Sequence, residues 1–385
     1  MELNANLFNA VVCLVLGIAS GIIMHRSDFC IAGMFRDLFL FRRTFMLRSL
    51  LLLMLSGMIL FEAARQTGLL LQYPFPLLYS PTPANVIGGF LFGIGMVLAG
   101  GCVVGTLYKM GAGSVLSFVA FCGIITGSAL YAEIHPLWAS FIKNSTFFQG
   151  RITLPQVLGV DPLLPLSVCA AVALAFLTGW GKKGMLVRKS RVEGYLQPWK
   201  AALLLALLGL CSYVLTGMPL GVTSSYAKLS GYLEGFFLRE HVEGLAYYKA
   251  VALKYVHPIT GARLEGGGGP RFDAMSAIQF PLVAGIVLGS AISALRLREF
   301  HLHFNLPKRQ YLSAFAGGTI MCLASRMAPT CNVWHLMGGI PVLAVSSLLF
   351  LSGLVPGAWV GSNIFTSKVM ASQKIGYNLT KGRSQ

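Results

Sequence analysis

Two similar apolar segments of this chain each end in a cysteine. The first reads GGFLFGIGMVLAGGC and ends at Cys102, and the second reads GGTIMCLASRMAPTC and ends at Cys331. Both begin with Gly-Gly, and each has a Gly or Pro two residues before its cysteine. Gly and Pro interrupt helical hydrogen bonding, so each thiol is expected at a helix break. The repetition and the flanking breaks predict a functional pair of thiols rather than ordinary packing.

The remaining cysteines carry a weaker signal. The chain has eight cysteines, but no C-x-x-C motif and no Cys/His set with zinc-binding spacing. The sequence therefore predicts neither a disulfide scaffold nor a metal site, and it contains no cofactor motif. Free cysteine packs readily as a small hydrophobe, and this reading is expected for five of them. They are Cys13, Cys122, Cys169, Cys211 and Cys322.

Composition indicates that these segments lie in a membrane. The chain is 55% hydrophobic and 11% charged, whereas soluble domains carry about 25% charged residues. Apolar windows of about 20 residues, long enough to cross a bilayer, recur along the chain. An all-α polytopic membrane protein with about nine transmembrane helices is predicted, the first being a retained helix rather than a signal peptide. The spans are expected near residues 6–24, 44–62, 85–101, 114–133, 163–180, 200–217, 277–296, 311–328 and 340–362.

The net charge of +17 is distributed asymmetrically. With nine spans, most Lys and Arg fall on one side of the membrane, including the segment 182–191, the segment 296–309 and the tail from Lys368. This is the positive-inside bias, and it predicts an outside N-terminus and a cytoplasmic C-terminus. Anionic lipid headgroups account for the charge, so no nucleic-acid partner is expected.

A second, looser repeat suggests how the chain is divided. GIIMHRSDFCIAG begins at Gly21 and GMPLGVTSSYAKLSG begins at Gly217. Their offset is shorter than that of the Gly-Gly…Cys segments by about the length of one polar insertion, at about 239–273. We therefore expect a first half at 1–162, a linking helix and basic loop at 163–198, and a second half at 199–385. With an odd number of spans between them, the halves form an inverted repeat, which places broken helices and the functional site near the midplane.

Four motifs in this order resemble the YeeE/YedE family of sulphur-transport membrane proteins. They are RSDFC (Arg26–Cys30), GMVLAGGCVVG (Gly95–Gly105), GMPLGVTSSYAK (Gly217–Lys228) and ASRMAPTCN (Ala324–Asn332). The resemblance implies nine helices plus short re-entrant helices in an hourglass-like arrangement within the inner membrane. It also implies uptake of thiosulfate or a related sulphur or selenium anion along a path of cysteines, which map to Cys30, Cys102 and Cys331. A cytoplasmic sulphur-carrier protein is an implied partner.

The side chains near these cysteines fit such a path. A thiol is a weak donor and a soft surface, so a row of thiols can pass a large anion onward without trapping it. Arg26 and Arg326 are expected to attract the anion or to act as structural partners. Ser224 and Ser225 are expected to line the path.

Two other functions compete with transport along thiols. A membrane-embedded thiol sulphurtransferase or oxidoreductase needs a reactive thiolate with a resolving partner, and no C-x-x-C motif supplies one. An ATP-driven pump is disfavoured because the chain lacks a G-x-x-x-x-G-K-[ST] motif. The sequence therefore favours a transporter that is not an enzyme.

Overall fold

The computed structural model describes residues 2–70, 72–75, 77–187 and 194–370. Long helices dominate this part of the chain, and each of the nine predicted spans coincides with one of them. They are α1 (Glu2–Ser27), α3 (Phe45–Gln66), α4 (Pro83–Leu98), α6 (Val115–Asn144), α8 (Leu163–Lys182), α9 (Pro198–Thr216), α13 (Ala274–Arg296), α14 (Lys308–Met327) and α16 (Val345–Ile364). The prediction of an all-α polytopic membrane protein is confirmed.

One of the nine helices differs from the others in polarity. Over the described residues, eight helical stretches are long and apolar enough to cross a membrane, and α14 is not among them. This helix begins with Lys308 and Arg309 and ends near Arg326. It packs against both α4 and α6. Because protein rather than lipid covers much of its surface, α14 tolerates a polar composition.

Outside the polar insertion, five short helices are described, and all but the helix Leu154–Leu158 follow a break in one of the four motifs. The first two continue the directions of α1 and α4 after interruptions at Asp28–Cys30 and Gly100–Cys102. A helix of nine residues such as α5 spans only about 14 Å, well short of a bilayer core of about 30 Å. The short helices are α2 (Ile31–Phe41), α5 (Val103–Gly111), α7 (Leu154–Leu158), α10 (Thr223–Phe237) and α15 (Asn332–Trp334), the last continuing as a π-helical segment, His335–Gly339, and a 3₁₀ turn, Ile340–Val342.

The helix contacts repeat between the two predicted halves. Helix α1 packs on α13 as α9 packs on α3, and α4 packs on α16 as α14 packs on α6. Helices α4 and α14, which carry the Gly-Gly…Cys segments, cross each other. A Cβ atom added to Gly88 would lie 2.5 Å from Ala328, and one added to Gly317 would lie 2.3 Å from Ala99. Gly317 lies 229 positions after Gly88, and Ala328 lies 229 positions after Ala99, so the repeat exchanges the two contacts, as a twofold relation requires.

The polar insertion forms a small structured region, which includes a β-hairpin that the sequence analysis did not predict. It consists of α11 (Arg239–Gly244), α12 (Ala246–Lys249), and the antiparallel strands β1 (Leu253–Val256) and β2 (Arg263–Gly266). The fully buried Lys228 ammonium of α10 donates to the carbonyl oxygens of Gly269 and Arg271 and to the Asp273 carboxylate, at 2.8–2.9 Å. These bonds satisfy a buried charge and fix the glycine-rich end of the insertion to the bundle.

Part of the charge on which the predicted orientation rests lies outside the described residues. Residues 188–193 and 371–385 include several of the basic side chains assigned to the cytoplasm. The described basic residues of that group lie at the end of α8, at the end of α13 and at the start of α14.

Candidate functional site

Three cysteines occupy the residue just before a short helix. Cys30 precedes α2, Cys102 precedes α5 and Cys331 precedes α15, each with extended backbone angles. At this position a side chain faces the unpaired N–H groups of the first helical turn. The Cys102 Sγ accepts from the Gly105 N–H at 3.3 Å. The helix breaks predicted from Gly and Pro therefore place Cys102 and Cys331 at the start of a new helix, and Cys30 occupies the same kind of position although no Gly or Pro stands in RSDFC.

Cys30 and Cys102 come together although 72 positions separate them in the chain. A Cβ atom added to Gly105 would lie 2.9 Å from the Cys30 Sγ and 3.3 Å from the Cys102 Sγ. The two thiols are therefore neighbours. Glycine at position 105 leaves the space that the pair occupies.

Cys331 borders a separate cavity of about 320 Å³ beneath the insertion, here called the insertion-side cavity. The insertion covers it with Tyr247, Ala250, Ala252, Gly267 and Gly268, and α6 contributes an aromatic wall. In that wall the Tyr131 ring packs edge-on against Tyr247 at 5.2 Å between centroids. The cavity is large enough for a hydrated inorganic anion.

Arg326 supplies a positive charge to this cavity. Its Nη1 donates to the Tyr247 hydroxyl at 3.1 Å, while its Nε and Nη2 are buried without a hydrogen-bond partner among the described residues. A guanidinium stays charged at any physiological pH, and buried donors without partners are costly. An oxyanion in the cavity would satisfy them. Arg326 therefore has the chemistry of an anion-binding group close to Cys331.

Two further cavities lie near Cys30. A cavity of about 420 Å³, here called the loop-side cavity, is lined by the loop 299–306 and by Asp28, Tyr108 and Lys109. A small adjoining space of about 50 Å³, the Cys30 pocket, contains Cys30, Asp28 and Lys109. The Lys109 ammonium donates to the Gly100 carbonyl at 2.8 Å. A cation thus lies beside the Cys30 thiol, as Arg326 lies beside Cys331.

The two large cavities lie at opposite ends of the same helices. Val115, at the start of α6, borders the loop-side cavity, whereas Tyr131 and residues after it border the insertion-side cavity. Likewise, α14 starts next to the 299–306 loop and ends next to Arg326. A 20-residue helix is about 30 Å long, so the cavities are separated by roughly the thickness of a bilayer core.

A buried layer separates the cavities. Cys102 is completely buried, and the Asn332 side chain, also completely buried, lies next to its thiol. Within the described part of the chain, both polar atoms of the Asn332 amide lack a hydrogen-bond partner. Beside them, the Tyr226 hydroxyl donates to the Val103 carbonyl at 3.2 Å. The structure is therefore closed between Cys331 and the Cys30–Cys102 pair, with unpaired polar groups in the closed layer.

Comparison with known proteins identifies the family. The sulphur transport family profile matches residues 26–360. The chain belongs to the sulphur transport family. It is 29% identical to a thiosulfate transporter, TsuA, of Spirochaeta thermophila over 366 residues, covering 90% of this chain and 96% of that protein. It is 26% identical to the Escherichia coli thiosulfate transporter TsuA, covering 91% and 92%, and 29% identical over 171 residues to the E. coli probable transporter YedE.

Some of the predicted site residues of this sulphur transport protein border a cavity, and others do not. Cys331, Arg326 and Ser224 all border the insertion-side cavity. Ser225 is buried, and its hydroxyl donates to the Val222 carbonyl at 2.5 Å. Arg26 ends α1 and lies against the segment around Gly194, and it borders none of the three cavities described above. The Asp28 carboxylate, two residues after Arg26, accepts from the Tyr108 hydroxyl at 3.0 Å.

Three side chains that border these cavities were not predicted as site residues by the sequence analysis. Lys109 is a lone cation in an apolar stretch, seven residues after Cys102, and that isolation was an available signal. Thr330 and Tyr247 gave no comparable signal. Tyr247 is one of several aromatic residues in the insertion, and only the fold places it over Arg326.

Proposed function

We propose that this membrane transporter takes up thiosulfate, or a sulphur or selenium oxyanion of similar shape, through the inner membrane. The anion enters the insertion-side cavity and is passed from Cys331 to Cys102 and Cys30, from which it reaches the loop-side cavity. No covalent bond forms. Each thiol offers a weak hydrogen bond that the next thiol replaces, as conduction requires.

The observation that supports this proposal is the arrangement of cavities and thiols. One cavity stops at Cys331, the Cys30 pocket adjoins the other cavity, and Cys102 lies buried between them. A thiosulfate-like anion carries hard oxygens and a soft sulphur. Arg326 and Lys109 match its charge at either end, whereas the thiols match its soft, polarisable atom. The first halves of α2 and α5 add helix N-termini, which also favour an anion.

Orientation is the second part of the proposal. The loop-side end of the bundle carries Arg296, Arg298, Lys308 and Arg309, which the positive-inside bias assigns to the cytoplasm. The insertion would then face the outside, together with the N-terminus, and the C-terminus would be cytoplasmic. Single-cysteine labelling from outside intact cells should modify a cysteine placed at Glu265, an exposed position of the insertion, but not one placed at Lys183, an exposed position after α8. Equal labelling at both positions would contradict this orientation and the inverted repeat. A cytoplasmic sulphur-carrier partner stays a prediction from the family resemblance.

Uptake into proteoliposomes that contain only this protein tests the proposed substrate. Thiosulfate labelled in its outer or its inner sulphur should enter at equal rates, faster than labelled sulfate, with selenite as a further comparison. Equal entry of both labels means that the intact anion crosses. Thiosulfate uptake no faster than in protein-free liposomes, or equal rates for sulfate, would contradict the proposal.

The contact between Cys30 and Cys102 favours a second candidate, a thiol sulphurtransferase. In that reaction a thiolate attacks the outer sulphur of thiosulfate, the S–S bond breaks, a protein persulfide forms, and sulfite leaves with the bonding electron pair. The same experiment separates the candidates. A sulphurtransferase retains the outer-sulphur label on the protein and releases sulfite, whereas a transporter does neither.

A further inference from the structure

Thr330 occupies a distinctive position at the insertion-side cavity. It lies between Arg326 and Cys331 in the chain and borders the same cavity as both. Its Oγ1 lies 2.8 Å from the Nε2 atom of His335. A hydroxyl has one hydrogen to donate and lone pairs that accept. If Thr330 accepts from Nε2–H of His335, its own hydrogen is free to donate to a ligand. If Thr330 instead donates to Nε2, it can only accept from a ligand.

The His335 ring is held rigidly. It is buried and stacks on the Phe350 ring at 4.2 Å between centroids, with the planes 20° apart. Its Nδ1 lies 2.8 Å from the Oγ of Ser347, which is also buried. Rings fixed in this way hold one tautomer, set by the hydrogen bonds of both nitrogens.

Either ring nitrogen of His335 can carry the hydrogen, and an oxyanion in the cavity selects between the two forms. The anion only accepts, so a Thr330 hydroxyl that faces it must donate, and Thr330 then accepts from Nε2–H. Ser347 can serve the opposite nitrogen by donating its hydroxyl hydrogen to Nδ1. In this arrangement Nε2–H donates to Thr330, which directs the Thr330 hydroxyl hydrogen away from His335 and toward the cavity.

We propose that Thr330 is a substrate-selecting residue, which donates its hydroxyl hydrogen to an oxygen of the anion next to Cys331, and that His335 is the positioning residue for this hydroxyl. The inference rests on the proposed function, since it assumes that the anion pauses at Cys331. The anion would place its oxygens toward the Arg326 guanidinium and Thr330 and its soft atom toward the Cys331 thiol. The chemical class thus selected has at least one terminal oxygen together with a terminal sulphur or selenium.

Thr330→Val is the primary test, because valine keeps the shape of threonine and removes the hydroxyl. Hydrogen bonds to charged groups are stronger than neutral ones, so KM for thiosulfate uptake into proteoliposomes should rise about tenfold or more. The maximal rate should change less than about twofold, because the Cys331 thiol is untouched. Thr330→Ser should restore KM to within about threefold of the unmodified protein, since serine retains the donor. Thr319→Val is the matched control: Thr319 lies on α14, outside the cavity, and its hydroxyl donates to Phe315.

His335 is tested by coupling to Thr330. His335→Leu should raise KM, but the double variant with Thr330→Val should be no worse than Thr330→Val alone, because both changes remove the same donated hydrogen bond. If His335→Leu does not fold, His335→Gln replaces it, since the glutamine amide can donate to Thr330 and accept from Ser347. In that case KM should stay near that of the unmodified protein. Additive effects of His335→Leu and Thr330→Val, or a tenfold rise in KM in a folded His335→Gln, would overturn the positioning role.

The outcomes separate this inference from the proposed function. If the unmodified protein takes up no thiosulfate, the proposed function fails and this inference fails with it. If the unmodified protein transports thiosulfate and Thr330→Val leaves KM unchanged, only the role of Thr330 is overturned. Failure of Thr330→Ser to restore KM would also overturn it, because the methyl group and not the hydroxyl would then matter.

Discussion

The two copies of the Gly-Gly…Cys segment share their helix packing but differ in what surrounds the cysteine. In both copies the glycines let α4 and α14 approach each other closely, through contacts that the twofold relation exchanges. Around Cys102 the structure is closed, with the Cys30 thiol as neighbour. Around Cys331 it opens into a cavity that contains a guanidinium.

One pair of equivalent positions explains much of this difference. Gly105 in the first copy corresponds to Trp334 in the second, three residues after each cysteine. Glycine leaves space for the Cys30 thiol, which comes from the loop before α2. Trp334 instead lies against Gly221, in the loop before α10, at 3.0 Å from the position of an added Cβ. The first copy thus has a small residue where the second copy has a large one. Two thiols meet beside Gly105 in the first copy, whereas the second copy contributes the Cys331 thiol to its cavity.

The largest effect is expected from Arg326, which distinguishes the Cys331 side. Arg326→Gln removes the charge and the two unpaired donors, so KM for thiosulfate should rise at least about tenfold. Arg263→Gln, at an exposed position of β2, is the control and should be silent. Initial uptake rates over a range of thiosulfate concentrations give KM for Arg326→Gln and for Arg263→Gln. An unchanged KM in folded Arg326→Gln would show that the guanidinium does not bind the anion.

The next effect is expected on the Cys102 side, at Gly105. In Gly105→Ala the added methyl group would lie 2.9 Å from the Cys30 Sγ, so this thiol must move. Because the thiol is the flexible end of a side chain, the fold should tolerate the change while uptake falls severalfold, on the order of 1 kcal/mol in transport barrier. Gly209→Ala, whose methyl group would contact Met337 at an ordinary 3.7 Å, is the control. Normal uptake by Gly105→Ala would mean that the spacing of the two thiols is unimportant.

Tyr247 should have a smaller effect, since it acts through Arg326. Tyr247→Phe removes the hydroxyl that accepts from the Arg326 Nη1 but keeps the ring packed on Tyr131. Arg326 keeps its charge and its other donors in this variant, so KM should rise about two- to tenfold, less than in Arg326→Gln. Tyr232→Phe, at an exposed site on α10, is the control. A lower KM in Tyr247→Phe would mean that Tyr247 competes with the anion for Arg326.

The smallest effect is expected from pH at the edge of the insertion. The His241 ring nitrogen lies 2.6 Å from the Glu133 carboxylate, and this hydrogen bond raises the pKa of His241 above its usual value. A raised pKa means that the contact stabilises the insertion below the ordinary histidine pKa of about 6.5 and is lost as pH rises through the folded value. Both groups are exposed, so the difference in melting temperature between pH 5.5 and pH 8.5 should be small. This difference in melting temperature should be smaller in His241→Gln. An unchanged difference would mean that the contact between His241 and Glu133 does not cause it.

The close contact between the two Gly-Gly…Cys segments was predictable because it depends on backbone spacing. Gly88 and Gly317 sit at equivalent positions in similar segments, and glycine at such positions indicates close helix contact whatever the rest of the sequence. The start of a new helix after Cys102 and Cys331 followed in the same way from the Gly and Pro residues before them.

The directions of individual side chains were not predictable in this way. Ser224 and Ser225 are adjacent and chemically identical, yet only Ser224 borders the cavity, because successive helical residues point about 100° apart. Arg26 lies near Cys30 in sequence but packs toward Gly194. Tyr247 reaches Arg326 only through the fold of the insertion, and no local pattern encodes that contact.

Alanine substitution of the two repeated cysteines tests the thiol path most directly. Cys→Ala at a buried site costs on the order of 1 kcal/mol of stability, so Cys102→Ala and Cys331→Ala should fold and melt nearly normally while losing most thiosulfate uptake. Cys169→Ala and Cys211→Ala, outside the path, should transport normally. Uptake and thermostability in detergent should be measured on the same preparations, with Cys→Ser replacing any alanine variant that does not fold. Normal uptake by both Cys102→Ala and Cys331→Ala would contradict the account and leave these thiols as packing residues.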